Sequence, residues 1–191
     1  MSKGAEDIDQ ERLREQIERL SRLIRQQGFA QGLNPAQWEA LRFIGRANRF
    51  SNSPGSLAQY LGATKGTVSQ TILSLEKKGL VEKKASPSDA RIVKLSLSAQ
   101  GTELLAQDPL LGLGAEIDAL GSKTAKRFAK AIDEILTGQI RRLKESEFGN
   151  CITCRHWRDR SGEDVESYCM LLNVHLQKQE TRQLCQFHLQ R

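Results

Sequence analysis

The first 150 residues hold no cysteine, and all four of the chain's cysteines come after them. No stretch approaches the roughly 18 to 20 consecutive apolar residues that span a bilayer. The amino-terminal MSKGAEDIDQERLREQ has no apolar segment of the kind a secretory signal needs, so the expected location is the cytoplasm. In that reducing compartment clustered thiols serve metal binding or redox chemistry rather than permanent disulfides. Internal repeats and low-complexity tracts are absent as well. Hydrophobic residues at 38% and charged residues at 27% are ordinary globular values, which argues against global disorder.

The periodicity is mostly helical. Ile8, Leu13, Ile17, Leu20 and Ile24 mark an amphipathic helix that Gly28 ends. Prolines are few and act as punctuation. Asn34-Pro35-Ala36-Gln37 reads as an N-cap, a first-turn proline and a capping-box glutamine, opening a helix that stops near Asn48. Ser53-Pro54 opens a short helix that Gly62 closes, and Thr64 caps a third with Val68, Ile72 and Leu75 on one face, ended by Gly79. The pattern then alternates through 81–85 and 92–97, two strands joined by the turn-forming Ser86-Pro87-Ser88-Asp89-Ala90. Ser98 caps a further helix broken near Asp108-Pro109. The segment 115–145, with Phe128, Ile132, Ile135, Leu136, Ile140 and Leu143, reads as one long amphipathic helix preceded by a flexible joint at Leu111–Gly114.

Two short helices joined at Gly62-Ala63 and followed by a hairpin describe a winged helix-turn-helix, so the expected fold is mainly α with a small β-hairpin wing. Charge supports a nucleic-acid partner. Lys65, Lys77, Lys78, Lys83, Lys84, Arg91 and Lys94 face only Glu76, Glu82 and Asp89 in the same stretch, most of the excess in a chain whose net charge is +6. The outward face of the second helix carries Lys65, Thr67, Ser69, Gln70 and Ser74, side chains suited to phosphates and base edges, with Gln70 the candidate for adenine. Lys77-Lys78 and Lys83-Lys84 can equally serve solubility, and Leu73 lies off the apolar stripe without explanation.

The stretch TKGTVSQTILSLEKKGLVEKKASPSDARIVKLSLSAQG also resembles the MarR/SlyA family of transcription regulators. The likeness rests on Thr-Val-Ser at the start of the second helix, on Leu-Glu-x-x-Gly-Leu-Val leading into the wing, and on Asp89-x-Arg91. It extends over residues 8 to 144 in element order and is close in sequence over 33–105. The resemblance implies a homodimer held by its first and last helices, binding a palindromic operator in double-stranded DNA. It makes 64–78 the recognition helix, with Thr64, Lys65, Thr67, Ser69, Gln70, Ser74 and Lys77 on the DNA, Arg91 in the minor groove and Asp89 supporting the wing. A repressor is the expected mode, because binding over a promoter is the simplest way such a dimer acts, and a small-molecule or redox effector is compatible with it.

Beyond a break at 146–150 the chain reads Cys151-x2-Cys154, Cys169, then Cys185-x2-His188. Four thiolates in a tail with few large aliphatics point to zinc, or to a [2Fe-2S] or [4Fe-4S] cluster, with Cys151, Cys154, Cys169 and Cys185 as ligands and His188 in reserve. The expected organisation is therefore a regulator domain at 1–145, with its DNA-binding core at 34–97, and a metal-binding tail at 146–191. Adjacency to 115–145 suggests that the tail lies beside the last dimerisation helix and influences the spacing of the recognition helices. Two rivals are a redox or metal-dependent enzyme built on the C-x2-C pair and a winged-helix protein-interaction module. The first would need its motif between a strand and a helix start, and the preceding segment is helical.

Overall fold

A computed structural model describes residues 9–86, 89–159 and 167–191, giving the backbone alone at 86 and 89–91. Helix α1 (Gln10–Gln27) is capped by Asp9. Helix α2 (Pro35–Arg46) begins with a reciprocal capping box: the Gln37 N–H donates to Asn34 Oδ1 at 2.9 Å and the Asn34 N–H to Gln37 Oε1 at 3.1 Å. Ser53 caps α3 (Pro54–Leu61), which Gly62 ends at φ +58°, and Thr64 caps α4 (Lys65–Lys77). Strands β1 (Val81–Ser86) and β2 (Asp89–Leu97) pair antiparallel from Val81 opposite Leu97 outward, forming the wing. Helix α5 (Ala99–Leu105) follows, capped by Ser98.

These elements enclose one core. Trp38, Leu41, Phe43 and Ile44 of α2 meet Leu57 of α3, Val68, Ile72 and Leu75 of α4, and Leu80, Val81 and Leu95 at the wing base. Burying each large side chain contributes about 1.5–3 kcal/mol. One close approach sets the angle between α5 and the α4–β1 joint: a Cβ on Gly101 would lie 2.1 Å from the Leu80 carbonyl oxygen. Gly101→Ala is therefore expected to lower stability by roughly 2–3 kcal/mol in denaturant unfolding, through forced backbone displacement. An unchanged midpoint, the outcome usual for an exposed helical glycine, would contradict this packing.

Arg42 of α2 forms a forked pair with Asp108, at 2.6 Å and 2.7 Å, fixing where the chain leaves α5. Burial acts to raise the Asp108 carboxyl, but the Arg42 hydrogen bond and charge and the Leu110 N–H outweigh it and hold it below its ordinary value. The pair stabilises at neutral pH, and its contribution is lost as the pH falls through that lowered pKa.

The following segment corrects the expected flexible joint. Leu111–Gly114 is not a linker but the first turn of α6 (Leu111–Ala119); the break falls at Leu120-Gly121, where Gly121 has φ +74°, before α7 (Ser122–Leu143). Only glycine takes that backbone conformation at little cost, and the isolated glycines at 112 and 114 do not prevent a helix. Helices α1, α6 and α7 bury no residue. Leu13, Ile17, Leu20 and Leu23 stay exposed on α1, and Phe128, Ile132, Ile135, Leu136 and Leu143 on α7. Among the described residues no helix is long and apolar enough to cross a membrane.

The tail contains a 3-10 turn at Cys151–Thr153, a small antiparallel sheet of β3 (Trp157–Arg158), β4 (Ser167–Cys169) and β5 (Val174–Leu176), and a second 3-10 turn at Glu180–Arg182. It packs on the helix-turn-helix. Leu184 joins the main core, and Phe148 stacks edge-on against Phe43 and Tyr60, with centroids 5.9 and 5.2 Å away.

Candidate nucleic-acid interface and thiol cluster

Helix α4 turns Val68, Ile72 and Leu75 into the core and leaves Lys65, Thr67, Ser69, Gln70, Leu73 and Lys77 exposed. Two of the expected contact residues have other duties. The Thr64 hydroxyl caps the helix, accepting from the Thr67 N–H at 3.2 Å and sharing a hydrogen bond with the Thr67 hydroxyl at 2.9 Å. Ser74 is half-buried and accepts from Gln37 Nε2 at 2.8 Å, so its hydroxyl points to α2 and not outward. Leu73, unexplained by periodicity, stands one turn from both Gln70 and Lys77 in the outward strip. Its signal in the sequence was its very mismatch: an apolar residue on the polar face.

The basic residues divide in the same way. Lys78 Nζ donates to the Gly32 carbonyl, and Lys94 Nζ to the Arg49 carbonyl at 2.6 Å; burial pushes the Lys94 ammonium pKa down. Lys83 pairs with Glu76 and Lys84 with Glu82, each at 2.8 Å. Much of the local positive charge is thus tied to the wing and its base, and Lys65 and Lys77 carry exposed charge at the two ends of α4. The side chains of Asp89 and Arg91, the expected wing support and minor-groove probe, lie outside the described residues, although their backbones belong to β2.

In the tail, backbone pairing gathers the thiols. Asn150 caps the Cys151–Thr153 turn, and the Cys154 N–H donates to the Cys151 carbonyl at 2.9 Å, closing the C-x2-C turn. Cys185 pairs antiparallel with Gly149, and Gln190 with Cys154, which lays the Cys185–His188 turn alongside the first. Cys169 sits opposite Trp157, whose backbone N–H donates to the Cys154 carbonyl at 3.2 Å. Cys151, Cys154 and Cys185 are buried, and all four are free thiols. Burial, then the neighbouring Cys185, Cys154 and Cys169 and finally Glu180, push the Cys151 thiol up to about 12. Cys185, Cys154 and Cys169 thus lie within electrostatic reach of Cys151. Among the described residues, no three side chains of His, Cys, Asp and Glu are placed so that they could hold a metal ion as they stand.

His188 has a different part. Its Nε2 hydrogen-bonds Thr153 Oγ1 at 3.0 Å, its Nδ1 lies 4.0 Å from Glu147, and its ring lies against Gly149, where a Cβ would come within 2.6 Å. The imidazole staples one thiol turn to the other. Burial lowers its pKa despite Glu147 and Thr153, which keeps the ring neutral at neutral pH. The C-x2-C turn itself lies in a 3-10 turn after a loop, without the strand-to-helix setting a thioredoxin-like centre needs.

Residues 31–92 match the family model described as MarR family, a span running from the loop before α2 into β2. A mutant MepR from S. aureus aligns with a TM-score of 0.56 at 16% identity, covering 70% of this chain and 99% of that one. An S. aureus MepR–DNA complex aligns at 0.52 and 17%, covering 69% and 99%. A probable transcriptional regulator from Pseudomonas aeruginosa aligns at 0.51 and 22%, covering 68% and 98%. No curated protein matches the sequence. At these identities the likeness is one of fold, and this chain has the MarR-type winged-helix fold. Each neighbour is covered almost whole while part of this chain has no counterpart in it.

Proposed function

We propose that this chain, built on the MarR-type winged helix, is a homodimeric transcription regulator that binds a palindromic operator in double-stranded DNA and represses by occupying it. The observation that carries this is the surface of α4. The helix has no acidic side chain before Glu76, Glu76 is paired with Lys83, and the apolar face opposite is fully buried. Such a helix presents a neutral-to-positive strip to a polyanion at no cost to the core. Lys65 and Lys77 meet phosphates at its two ends, Ser69 and Gln70 reach base edges, and Leu73 packs on thymine methyl groups. Arg91 enters the adjacent minor groove. The exposed stripes of α1 and α7 cover one another across a two-fold axis, bringing two recognition helices to successive major grooves.

Gln70→Ala is expected to weaken a palindromic site by roughly 5- to 150-fold and relax its preference at one base pair. Arg91→Ala should weaken it and flatten the salt dependence, with the dimer intact in both cases. Binding isotherms on duplexes selected from random sequence would read this. Wild-type affinity in both variants would refute the docking.

For the tail we propose a four-thiolate metal centre made by Cys151, Cys154, Cys169 and Cys185. Zinc is the favoured ion and a [2Fe-2S] or [4Fe-4S] cluster the alternative; the centre would supply the cross-link that a small core lacks. Support comes from what is buried there: among the described residues of 146–191, three thiols and Leu176 are the buried apolar ones apart from Leu184, which belongs to the main core. So few aliphatic contacts do not order a tail of this length unaided.

A further inference from the structure

One turn of the tail is spliced into the DNA-binding core at the α2–α3 corner, residues 46–56. Cys185 is the middle residue of that splice. On one side of it, the Leu184 N–H donates to the Arg46 carbonyl at 2.7 Å and the Leu184 carbonyl accepts from the Asn48 N–H at 2.9 Å, with Leu184 seated among the core residues. On the other side, the Gln186 N–H donates to Ser51 Oγ at 2.9 Å, Gln186 Nε2 donates to the Phe50 carbonyl at 3.0 Å, and Ser56 Oγ donates to Gln186 Oε1 at 2.6 Å. Arg49 reaches further into the tail, to Glu180 at 3.2 Å and to the His175 carbonyl at 2.8 Å.

The same corner holds the base of the wing. The Leu95 N–H donates to the Asn52 carbonyl at 2.7 Å, Asn52 Nδ2 donates to the Leu95 carbonyl at 3.2 Å, and Lys94 grips the Arg49 carbonyl. Asn48, Ser51 and Ser56 are almost wholly buried, at 1%, 0% and 2% exposure, so the bonds that Leu184 makes to the Asn48 backbone and Gln186 makes to the two serine hydroxyls have no ready substitute in water.

We propose that metal occupancy of the thiol cluster controls operator binding, and that the control runs through residues 184–186 to the α2–α3 corner, then to the start of α3 and the base of the wing. This rests on reading the four thiols as a metal centre. With its sulfur ligated, Cys185 fixes its two neighbours, and they hold the corner in the shape described. When the ion leaves, the short turn carrying Cys185 loses its anchor, Ser51 and Ser56 lose their bonds to Gln186, and the corner relaxes. The route differs from the one expected from sequence adjacency. The tail acts on the posture of the wing and α3 inside each subunit, and the spacing of α7 across the dimer is not what it changes.

The test uses the full-length dimer, purified anaerobically, with its metal and acid-labile sulfide measured. It is compared with protein stripped by chelator under reductant and with stripped protein given zinc ion alone, or iron and sulfide where the isolated protein holds a cluster. Operator affinity should fall at least fivefold on stripping and return on refilling. Amide hydrogen exchange at 48–56 and 94–97 should accelerate in the stripped protein. Gln186→Ala, which keeps all four thiols, should bind metal at the wild-type stoichiometry with an operator affinity that metal no longer changes. Bound metal with equal affinity and equal exchange in both states would overturn the coupling and leave the metal centre standing. Absence of metal in every preparation would overturn both.

Discussion

Ile132→Glu combined with Leu136→Glu is expected to yield a folded monomer whose operator affinity is about a thousandfold lower. These two residues stand one turn apart on α7, 42% and 55% exposed, and neither belongs to the core of the winged helix. The substitutions therefore leave the stability of the single subunit nearly unchanged. In the proposed dimer they would place four carboxylates, two from each subunit, in an apolar seam, and each desolvated charge costs several kcal/mol. A monomer then offers one recognition helix where two acted together, which lowers binding from the usual specific range towards the non-specific one. Light scattering, helical circular dichroism and operator titration together read the outcome. A double variant that remains dimeric at micromolar concentration would show that these stripes do not form the interface.

The parts of this fold that were legible in the sequence are those whose cause is local. Asn34-Pro35 with Gln37, Ser53-Pro54 and Thr64 satisfy orphan backbone donors within three residues of themselves, so each helix start could be placed from its own few letters. The wing followed from a change of period from helical to alternating. Gly112 and Gly114 misled because glycine marks a joint only where the backbone needs its freedom, and here that place is Gly121.

The candidate interface was legible by face but not by partner. Periodicity puts Ser74 near the outward side of α4, but only the folded packing of α2 brings Gln37 to its hydroxyl. Lys78 and Lys94 count as charge in the sequence, and in three dimensions they tie loops together. The docking of the tail left no local trace at all. Leu184 and Gln186 resemble ordinary surface-strand residues until the chain folds back more than a hundred positions to Ala47 and Ser51.

The tail invites the second large prediction, because its cysteines can be told from small buried hydrophobes by choosing the substitution. Cys151 is 7% exposed, in the turn that faces Cys185 across the Gly149 bridge. If it were packing material alone, Cys151→Ala would be mild and Cys151→Ser worse, since serine adds an unpaired hydroxyl to an apolar site. If it ligates a metal, the two variants should behave alike, because each removes one of four thiolates and metal binding in such a tail is folding free energy of about 10 kcal/mol or more. Both should then lose the metal, and protease should cut readily within 146–182 while α2, α3 and α4 keep their helical signal. A Cys151→Ala protein that retains metal and a protected tail would remove Cys151 from the ligand set. The same comparison at Cys169, the one thiol of the four that is only half-buried, separates a four-thiolate centre from one completed by His188.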